Sequence, residues 1–407
     1  MNFILVSPNF PETFRWFAIR LKENGVNVLG LGDAPYDTLH PELKSVLTEY
    51  YRVDDLGNYD DMVRAVGYFT FRYGKIDWIE SNNEYWLEMD AALRTAFNIT
   101  TGPKSDVIQG WKSKLAMKET YQRAGIPCAR CIPLTTKYAA KNFIAQVGYP
   151  VVVKPDNGVG ANATYRLENE EDLDRFFLAP PQVPYLMEEY LPGVVTTYDG
   201  VCNSKGEVLF AVSHVTPNSI MDMVNEGVPT YYYIDEHVPT DVERIGRKTL
   251  QAFGVTRRFF HLEFFRLTET KPGLGKKGAL VGLEVNMRPA GGFTTEMINY
   301  SQSVDVYQIY ADMVAFDQCR HTYIGPRRFC VYVGRRRGVI YDYPLGELAT
   351  QCGGHLRQIG QMPPALAGAM GDELLICCYD TKAEMDQFVR KAFALPRKQR
   401  RVRTHHS

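Results

Sequence analysis

Three polar side chains alternate with aliphatic ones in the segment LVGLEVNMRPAGG, residues 280–292. Glu284, Asn286 and Arg288 occupy every second position, so they share one face of a predicted strand. The residues expected on the opposite, buried face are Val281, Leu283, Val285 and Met287. Carboxylate and amide oxygens are ligands that Mg²⁺ accepts, and an arginine binds an anion through two parallel hydrogen bonds. The spacing therefore predicts a site for a divalent cation beside a phosphate or a carboxylate.

A second polar pair precedes this strand in FFHLEFFRL, residues 259–267, where His261 and Glu263 share a face. An antiparallel hairpin with Glu263 opposite Glu284 has its midpoint inside the turn-rich segment KPGLGKKG, residues 271–278. The two carboxylates would then lie about 5 Å apart and repel each other. A hard divalent cation removes that repulsion because it binds both groups. The alternative interpretation is a solvated polar face on an edge hairpin.

A candidate phosphate-binding segment is VVVKPDNGVGANAT, residues 151–164. Lys154 ends a β-branched run that a sheet would bury, and a buried lysine is costly unless an anion meets it. The following loop contains Gly158 and Gly160, and its backbone N–H groups are able to close over phosphates. The chain contains no G-x-x-x-x-G-K-[ST] motif, so a P-loop is excluded. The alternative is a tight β-turn with a lysine at its mouth.

Alternating strands and helices in the first hundred residues must support these segments. NFILVSPN, VNVLGLGD and IDWIES are predicted strands separated by helices, which favours a parallel sheet with helices on both sides. This region resembles half of a Rossmann domain. Its first strand–helix turn, SPNFPET, has no glycine fingerprint, so a dinucleotide site is not expected. Residues 107–149 are predicted to be helical with one break, and strands and hairpins follow. A helix at 294–315 and a small α+β module close the chain.

The composition is that of an ordinary globular protein. The 407 residues predict two to four domains at about 100–200 residues per domain. A net charge of −1 gives no field that would favour nucleic acid or an anionic membrane. The first residues lack the features of a signal peptide, and no apolar run approaches the roughly 20 residues of a membrane span. Eight cysteines in a chain of this length do not indicate a disulfide scaffold, so we expect a cytoplasmic protein.

The order of six motifs resembles the ATP-grasp superfamily, and in particular its carboxylate–amine ligases. In chain order the motifs are KSKLAMKE, VVVKP, the glycine loop DNGVGANAT, MEEYLPG, HLEFF and LEVNMRPAGG. The resemblance covers about residues 1–315 and implies a fold that combines α/β and α+β parts. The implied domains are a Rossmann-like N-terminal domain, the small ATP-grasp subdomain with its linker helices, the large ATP-grasp subdomain with the metal site, and a C-terminal α+β module with a basic tail, over residues 1–104, 105–192, 193–318 and 319–407.

The resemblance also implies a role for individual residues, with ATP held between the two ATP-grasp subdomains. The implied nucleotide-binding residues are Lys114, Lys154, Asp156, Asn157, Gly158, Gly160, Glu188, Glu189, Tyr190 and Leu191. Within this set, the loop from Asp156 to Ala161 would cover the phosphates, and the segment from Met187 to Leu191 would hydrogen-bond adenine. The implied ligands for Mg²⁺, or for Mn²⁺ as an alternative, are Glu263, Glu284 and Asn286. The implied catalytic residues are Arg288 and Lys154, which would stabilise the charge that develops during phosphoryl transfer.

The implied reaction joins a carboxylic acid, such as an amino acid, to an amine through an acyl phosphate, with release of ADP and phosphate. The implied partners are these two small molecules and, since relatives often dimerise, a second copy of the chain. Many relatives carry a ribose-binding acid after the hinge glycine, and if Asp199 is matched to the family's aspartate, that position falls on Val195. His214 and His261 are candidates for substrate contact or for the base that serves the amine, and the alternative is that both are structural histidines.

Two other functions stay open. One is an enzyme that resembles carbamoyl-phosphate synthetase or biotin carboxylase and uses bicarbonate, although no glutaminase or biotin-carrier domain is visible. The other is an ATP-binding regulator without turnover, which Val195 alone supports. Cys128 and Cys131 form a C-x-x-C that we interpret as two ordinary thiols in a strand. The long segment 216–234 is either a loop that selects the substrate or a surface excursion.

Overall fold

The computed structural model describes residues 1–158, 163–179, 181–218, 230–362 and 364–396. Its first layer is a parallel sheet of β1 (Asn2–Val6), β2 (Asn27–Gly32), β3 (Glu49–Arg52) and β4 (Trp78–Glu80), in the order β3-β2-β1-β4. The helices of this region are α1 (Arg15–Glu23), α2 (Pro41–Val46), α3 (Tyr59–Tyr73) and α4 (Leu87–Ala96). The predicted Rossmann-like alternation is confirmed. The sequence pattern missed β3 because its residues are mostly half-buried and form no apolar run.

A second, antiparallel sheet carries the segment that was predicted to bind phosphates. Its strands are β5 (Cys131–Pro133), β6 (Val151–Pro155), β7 (Tyr165–Leu167) and β8 (Tyr185–Glu189), in the order β5-β8-β6-β7. The helices that lead into it or pack on it are α5 (Ser105–Lys112), α6 (Lys114–Arg123), α7 (Lys137–Val147) and α8 (Glu170–Leu178). Phe143 of α7 and Leu173 of α8 pack against Val151 and Val153, so the opposite face of the sheet, with Lys154, is left for the cleft.

The third sheet has nine strands within the described residues. They are β9 (Gly193–Cys202), β10 (Val208–Val212), β11 (His214–Thr216), β12 (Thr230–Ile234), β13 (Arg258–Leu267), β14 (Leu280–Asn286), β15 (Phe329–Arg335), β16 (Leu356–Gln361) and β17 (Glu373–Tyr379). Their order is β14-β13-β9-β11-β12-β15-β17-β16, and β10 pairs with β9. The accompanying helices are α9 (Thr240–Ala252), α10 (Thr294–Gln302), α11 (Val306–Phe316), α12 (Leu345–Cys352), α13 (Pro364–Met370) and α14 (Lys382–Ala392).

The C-terminal strands continue this sheet. All of β12 pairs with β15, so the domain boundary predicted at 318/319 does not separate two sheets. The single helix predicted at 294–315 is two helices, because Ser303 adopts a left-handed conformation with φ 53°. None of the helices in the described residues is long and apolar enough to span a membrane.

The hairpin predicted from the polar spacing is confirmed. β13 pairs antiparallel with β14, and Glu263 lies opposite Glu284. A β-bulge follows, because the next residue of β13, Phe264, pairs with Gly282 and leaves Leu283 without an opposite partner.

Because of the bulge, the predicted buried face of β14 is right for two of its residues and wrong for the other two. Val285 and Met287 pack in the core beneath the hairpin, as expected. Val281 instead packs with Leu191 beside the cleft, and Leu283 lines the cleft itself. One extra residue thus reverses the alternation on the N-terminal side of the bulge.

Candidate nucleotide and metal site

A cavity of about 200 Å³ opens between the face of the second sheet that carries Lys154 and the acidic face of the hairpin. Most residues assigned to the site from the sequence line this one cavity, namely Lys114, Lys154, Glu188, Glu189, Tyr190, Leu191, Glu263, Glu284, Asn286 and Arg288. The three implied metal ligands come from the hairpin, and the two lysines come from α6 and β6. The fold therefore brings acids and lysines from separate elements into one cleft.

The acidic face of the hairpin has the donor set of a hard cation. Glu263 and Glu284 are directly paired, and the amide of Asn286 follows on the same face. Two carboxylates and an amide oxygen are ligands of the kind that Mg²⁺ accepts, so the residues present fit this ion. Each acid also meets a protein cation or donor: Lys114 Nζ lies 3.2 Å from Glu284, and His261 Nε2 lies 2.9 Å from Glu263 Oε1. Burial would raise the pKa of Glu263, but His261 outweighs burial and lowers it.

A buried carboxylate lies between two lysines on the opposite wall. Glu188 forms ion pairs with Lys154 and with Lys118, the latter at 3.3 Å, and all three residues are at most 8% exposed. Burial alone would raise the pKa of Glu188, but the two lysines lower it to about 2. Sequence analysis missed Lys118, although it follows Lys114 by one helical turn and so shares its face of α6.

Lys114 connects the start of α6 to the loop after β6. Its Nζ donates to the backbone oxygen of Gly158 at 3.3 Å. Asp156 caps the helix, since its Oδ1 accepts from the N–H of Leu115 at 2.9 Å and its Oδ2 accepts from Ser113 at 2.8 Å. The phosphate contact assigned to Asp156 therefore stays a prediction for a carboxylate that already holds the helix N-terminus.

The remaining loop residues carry less information. The side-chain amide of Asn157 donates at 3.3 Å to the carboxylate of Glu88, a residue of α4 in the N-terminal region. Gly158 contributes the backbone oxygen that Lys114 meets. Gly160, which was assigned to the same loop, lies outside the described residues. Its contact with phosphate stays a prediction.

The segment assigned to adenine begins in β8. The N–H of Glu189 donates to the backbone oxygen of Arg130, and its carboxylate accepts from the N–H and the side chain of Arg130, at 2.8 and 2.7 Å. These bonds tie Glu189 to the segment just before β5, so the N–H of Glu189 is not available to a ligand. Tyr190 and Leu191 line the cavity, which limits the predicted adenine contacts of the backbone N–H groups to these two residues.

Arg288 is engaged by a residue that sequence analysis did not identify. Its Nε lies 3.0 Å from Glu84 Oε2, and its Nη1 donates to the backbone oxygen of Pro289. Glu84 follows β4 in the N-terminal region and also pairs with Lys112 at 2.6 Å. Burial would raise the pKa of Glu84, but Arg288 and Lys112 lower it. No local pattern marks Glu84, since its importance depends on how the first sheet packs against the hairpin.

The two candidate histidines lie behind the metal face. His214 Nδ1 and His261 Nδ1 lie 2.7 and 2.6 Å from the two carboxylate oxygens of Asp199. Neither histidine is among the residues that line the cavity, so the structural interpretation is favoured over direct substrate contact. Burial would lower the pKa of His261, but Asp199 and Glu263 raise it to about 9. Burial would raise the pKa of Asp199, but the two histidines keep it well below its usual range.

The structure also places Val195, the two cysteines of the C-x-x-C motif and part of the segment 216–234. Val195 lines the cavity, so no carboxylate reaches the ligand from that position. Cys128 and Cys131 are free thiols with pKa values raised chiefly by burial, and only Cys131 lies in a strand. Of the long segment 216–234, Thr216 and Asn218 line the cavity, and residues 219–229 lie outside the described part.

Comparison with known proteins finds relatives in sequence that include a ligase, a urea amidolyase and a carbamoyl phosphate synthase. No family model matches the chain. The curated L-arginine-specific L-amino acid ligase of Bacillus subtilis is 24% identical over 326 residues, which cover 76% of this chain and 74% of that protein.

Solved structures of similar fold align with nearly the whole chain. The L-amino acid ligase from Bacillus licheniformis has a TM-score of 0.69 at 14% identity and covers 96% of both chains. The biotin carboxylase domain dimer of 2-oxoglutarate carboxylase from Hydrogenobacter thermophilus, solved with MgADP and bicarbonate, has a TM-score of 0.65 at 18% identity and covers 93% of this chain and 86% of that one. At these identities the likeness establishes a shared fold.

Proposed function

We propose that this chain, an ATP-grasp protein of the carboxylate–amine ligase group, joins a carboxylic acid to an amine at the expense of ATP. The predicted fold is confirmed by the likeness to solved ligases, and one relative in sequence is an amino acid ligase. The observation that carries the proposal is the single cavity in which two lysines face paired acids and an arginine. An amino acid is accordingly the substrate that we propose for the acid, the amine or both.

The lysine wall would receive the phosphates of ATP. Lys154 and Lys114 are buried cations whose present partners are Glu188 and Glu284. A phosphate that enters the cavity supplies further negative charge at short distance, which favours both ammonium groups in a site of low dielectric. Tyr190 and Leu191 at the end of β8 would bind the base, as the resemblance implies.

The hairpin would hold the cation. Glu263, Glu284 and Asn286 would bind Mg²⁺, with Mn²⁺ as a substitute, and the bound ion would offset charge on the phosphates. MgADP in the biotin carboxylase domain with the same fold supports this pairing of nucleotide and metal. The release of Lys114 from Glu284 would let the lysine turn toward the phosphates.

Arg288 would bind the carboxylate substrate next to the phosphates. One oxygen of that carboxylate attacks the γ-phosphorus, the bond to ADP breaks, and an acyl phosphate forms. The amine nitrogen then attacks the acyl carbon, phosphate leaves, and the nitrogen loses a proton to give the amide. Arg288 and Lys154 would stabilise the charge that develops on the transferred group, because positioned cations act most strongly where water is excluded.

One alternative activates a different acid, and the other has no turnover. A bicarbonate-dependent reaction is supported by the likeness to a biotin carboxylase domain solved with bicarbonate. A regulator without turnover is supported only by the lack of a ribose-binding acid at Val195. A homodimer, which the dimeric biotin carboxylase domain supports, and a cytoplasmic location stay predictions.

The test measures phosphate release from ATP by the full-length protein with pooled acids and amines, chiefly amino acids. Release that requires both an acid and an amine supports the ligase. Release that depends on bicarbonate alone supports the second function and contradicts the first. Tight ATP binding without turnover under every condition would leave only the regulator.

A further inference from the structure

A chain of hydrogen bonds runs from Asp199, buried in the third sheet, to Glu263, one of the proposed metal ligands. His261 donates from Nδ1 to Asp199 Oδ1 at 2.6 Å and lies 2.9 Å from Glu263 Oε1 through Nε2. Adjacent strands set this geometry, since His261 pairs directly with Asp199 across β13 and β9. Asp199 and His261 are 2% and 5% exposed, so the contacts are shielded from water.

The other oxygen of Asp199 is also occupied. Oδ2 accepts from the hydroxyl of Thr197 at 2.6 Å and lies 2.7 Å from His214 Nδ1. The carboxylate is therefore held from both ends, and His261 is fixed at a defined position and ring orientation. Buried polar groups that are fully satisfied in this way rigidify their surroundings.

Asp199, His214 and His261 are of types that bind metal, and their donor atoms lie within 4.8 Å of one another. The hydrogen bonds argue against a cation among them. Each Nδ1 is directed at a carboxylate oxygen at 2.6–2.7 Å, and the second nitrogen of His261 is directed at Glu263. The cluster is a hydrogen-bonded support for the adjacent acid.

We propose that His261 is a positioning residue for Glu263, an inference that rests on the proposed metal site. By holding Oε1 through its Nε2, the imidazole leaves Oε2 as the oxygen that Glu263 presents to the cation. Glu263 would then bind with one oxygen, and its orientation opposite Glu284 would not depend on the cation. Hydrogen-bond partners behind metal ligands of this kind change metal affinity by about 10–100-fold when they are removed.

Two substitutions separate the two ends of the imidazole. His261→Asn keeps an N–H near the position of Nδ1, so it still satisfies Asp199 but does not reach Glu263. His261→Gln places an N–H near the position of Nε2, so it restores the bond to Glu263. The matched control is His321→Asn, because His321 also pairs through Nδ1 with a buried aspartate, Asp312, but lies outside the cleft.

The experiment measures Mn²⁺ binding to the full-length protein with ADP present, by electron paramagnetic resonance. We expect His261→Asn to weaken Mn²⁺ binding about 10-fold or more, His261→Gln to recover part of the loss, and His321→Asn to bind like the parent. In turnover assays, the Mg²⁺ concentration for half-maximal rate should rise in His261→Asn while the KM of the acid stays unchanged. Melting temperatures establish that each variant is folded.

The outcomes distinguish this inference from the proposed function. Unchanged Mn²⁺ affinity in His261→Asn, together with lost affinity in Glu284→Ala, would overturn the positioning role and keep the metal site. Unchanged affinity in both variants would overturn both. A loss in His261→Asn that His261→Gln does not reduce would also contradict the inference, because the bond to Glu263 would then not be the cause.

Discussion

At the scale of single residues, the cations of the cleft already have partners. Lys154 meets Glu188, Lys114 meets Glu284, and Arg288 meets Glu84. A buried charge without a counter-charge is strongly unfavourable, so these acids keep the cations in place when no anionic ligand is bound. The cations are therefore arranged before phosphate or carboxylate arrives.

Glu284→Ala tests the metal site at this scale. The substitution removes one of the paired carboxylates and the partner of Lys114, so we expect turnover that depends on Mg²⁺ to fall about 100-fold or more. The fold should persist because the side chain lies at the cavity surface. Phosphate release over a range of Mg²⁺ concentrations measures the effect, and Glu269→Ala, an exposed acid in the turn of the same hairpin, is the control. Full activity in Glu284→Ala would end the metal assignment.

The sequence predicted those site residues whose relation is local. The register of Glu263 and Glu284 follows from alternation and from a turn that both strands share, so pairing was predictable. Lys118, Glu84 and Asp199 were not identified. Their partners are set by packing between elements far apart in the chain, which single-sequence patterns do not contain.

At the scale of elements, the bulge in β14 decides which side chains face the cleft. Because Leu283 has no opposite partner, the residues before it shift by one position relative to the cleft. Alternation predicted the residues after the bulge correctly and Val281 and Leu283 incorrectly. A bulge depends on the pairing of two backbones, so alternation in one strand does not reveal it.

Gly282→Ala tests the close packing of the hairpin on α6. A Cβ at this position would lie 2.9 Å from ring atoms of Tyr121, which is fully buried. We expect a loss of about 1–3 kcal/mol in the free energy of unfolding, as for other overpacked cores. Gly67→Ala is the control, because a Cβ there meets nothing within 4 Å and lies in a helix. Equal stability of both variants in denaturant titrations would show that Tyr121 gives way without cost.

Asp90 of α4 couples the loop after β4 to pH. Its Oδ2 accepts from the N–H and the hydroxyl of Ser81, and burial, with a further contribution from Glu80, raises its pKa to about 7. A carboxyl whose pKa is raised by folding favours the folded state at low pH, and this contribution is lost progressively as pH rises from the ordinary aspartate pKa of about 4 to about 7.

We therefore expect the parent protein to lose stability between pH 5 and pH 7 relative to Asp90→Asn, by up to about 1.4 kcal/mol per pH unit, and the loss to level off above pH 7. The neutral amide keeps an oxygen for Ser81 and does not ionise. Unfolding midpoints in denaturant at the two pH values measure the difference. Parallel pH profiles for parent and variant would contradict the raised pKa.

At the scale of the whole molecule, the N-terminal sheet supplies a charge to the cleft. Glu84 is the shared partner of Arg288 and Lys112, whose side chains are 14% and 5% exposed. One carboxylate thus links the first sheet, α5 and the hairpin. The Rossmann-like region is accordingly part of the candidate site, and its predicted parallel sheet explains why: ligands of such sheets meet the ends of the strands, and Glu84 follows the end of β4.

Glu84→Ala tests this link by leaving both cations without their anion. We expect a loss of about 3–5 kcal/mol in stability, because breaking a buried ion pair leaves an uncompensated charge. Acetate should restore part of the melting temperature, since it is a small carboxylate that fits the vacated position beside Arg288 and Lys112. Chloride at equal ionic strength is the control, and Glu88→Ala, an acid of the neighbouring helix, should respond alike to both salts. If acetate stabilised Glu84→Ala no more than chloride does, the loss of stability would not come from the missing negative charge beside Arg288 and Lys112.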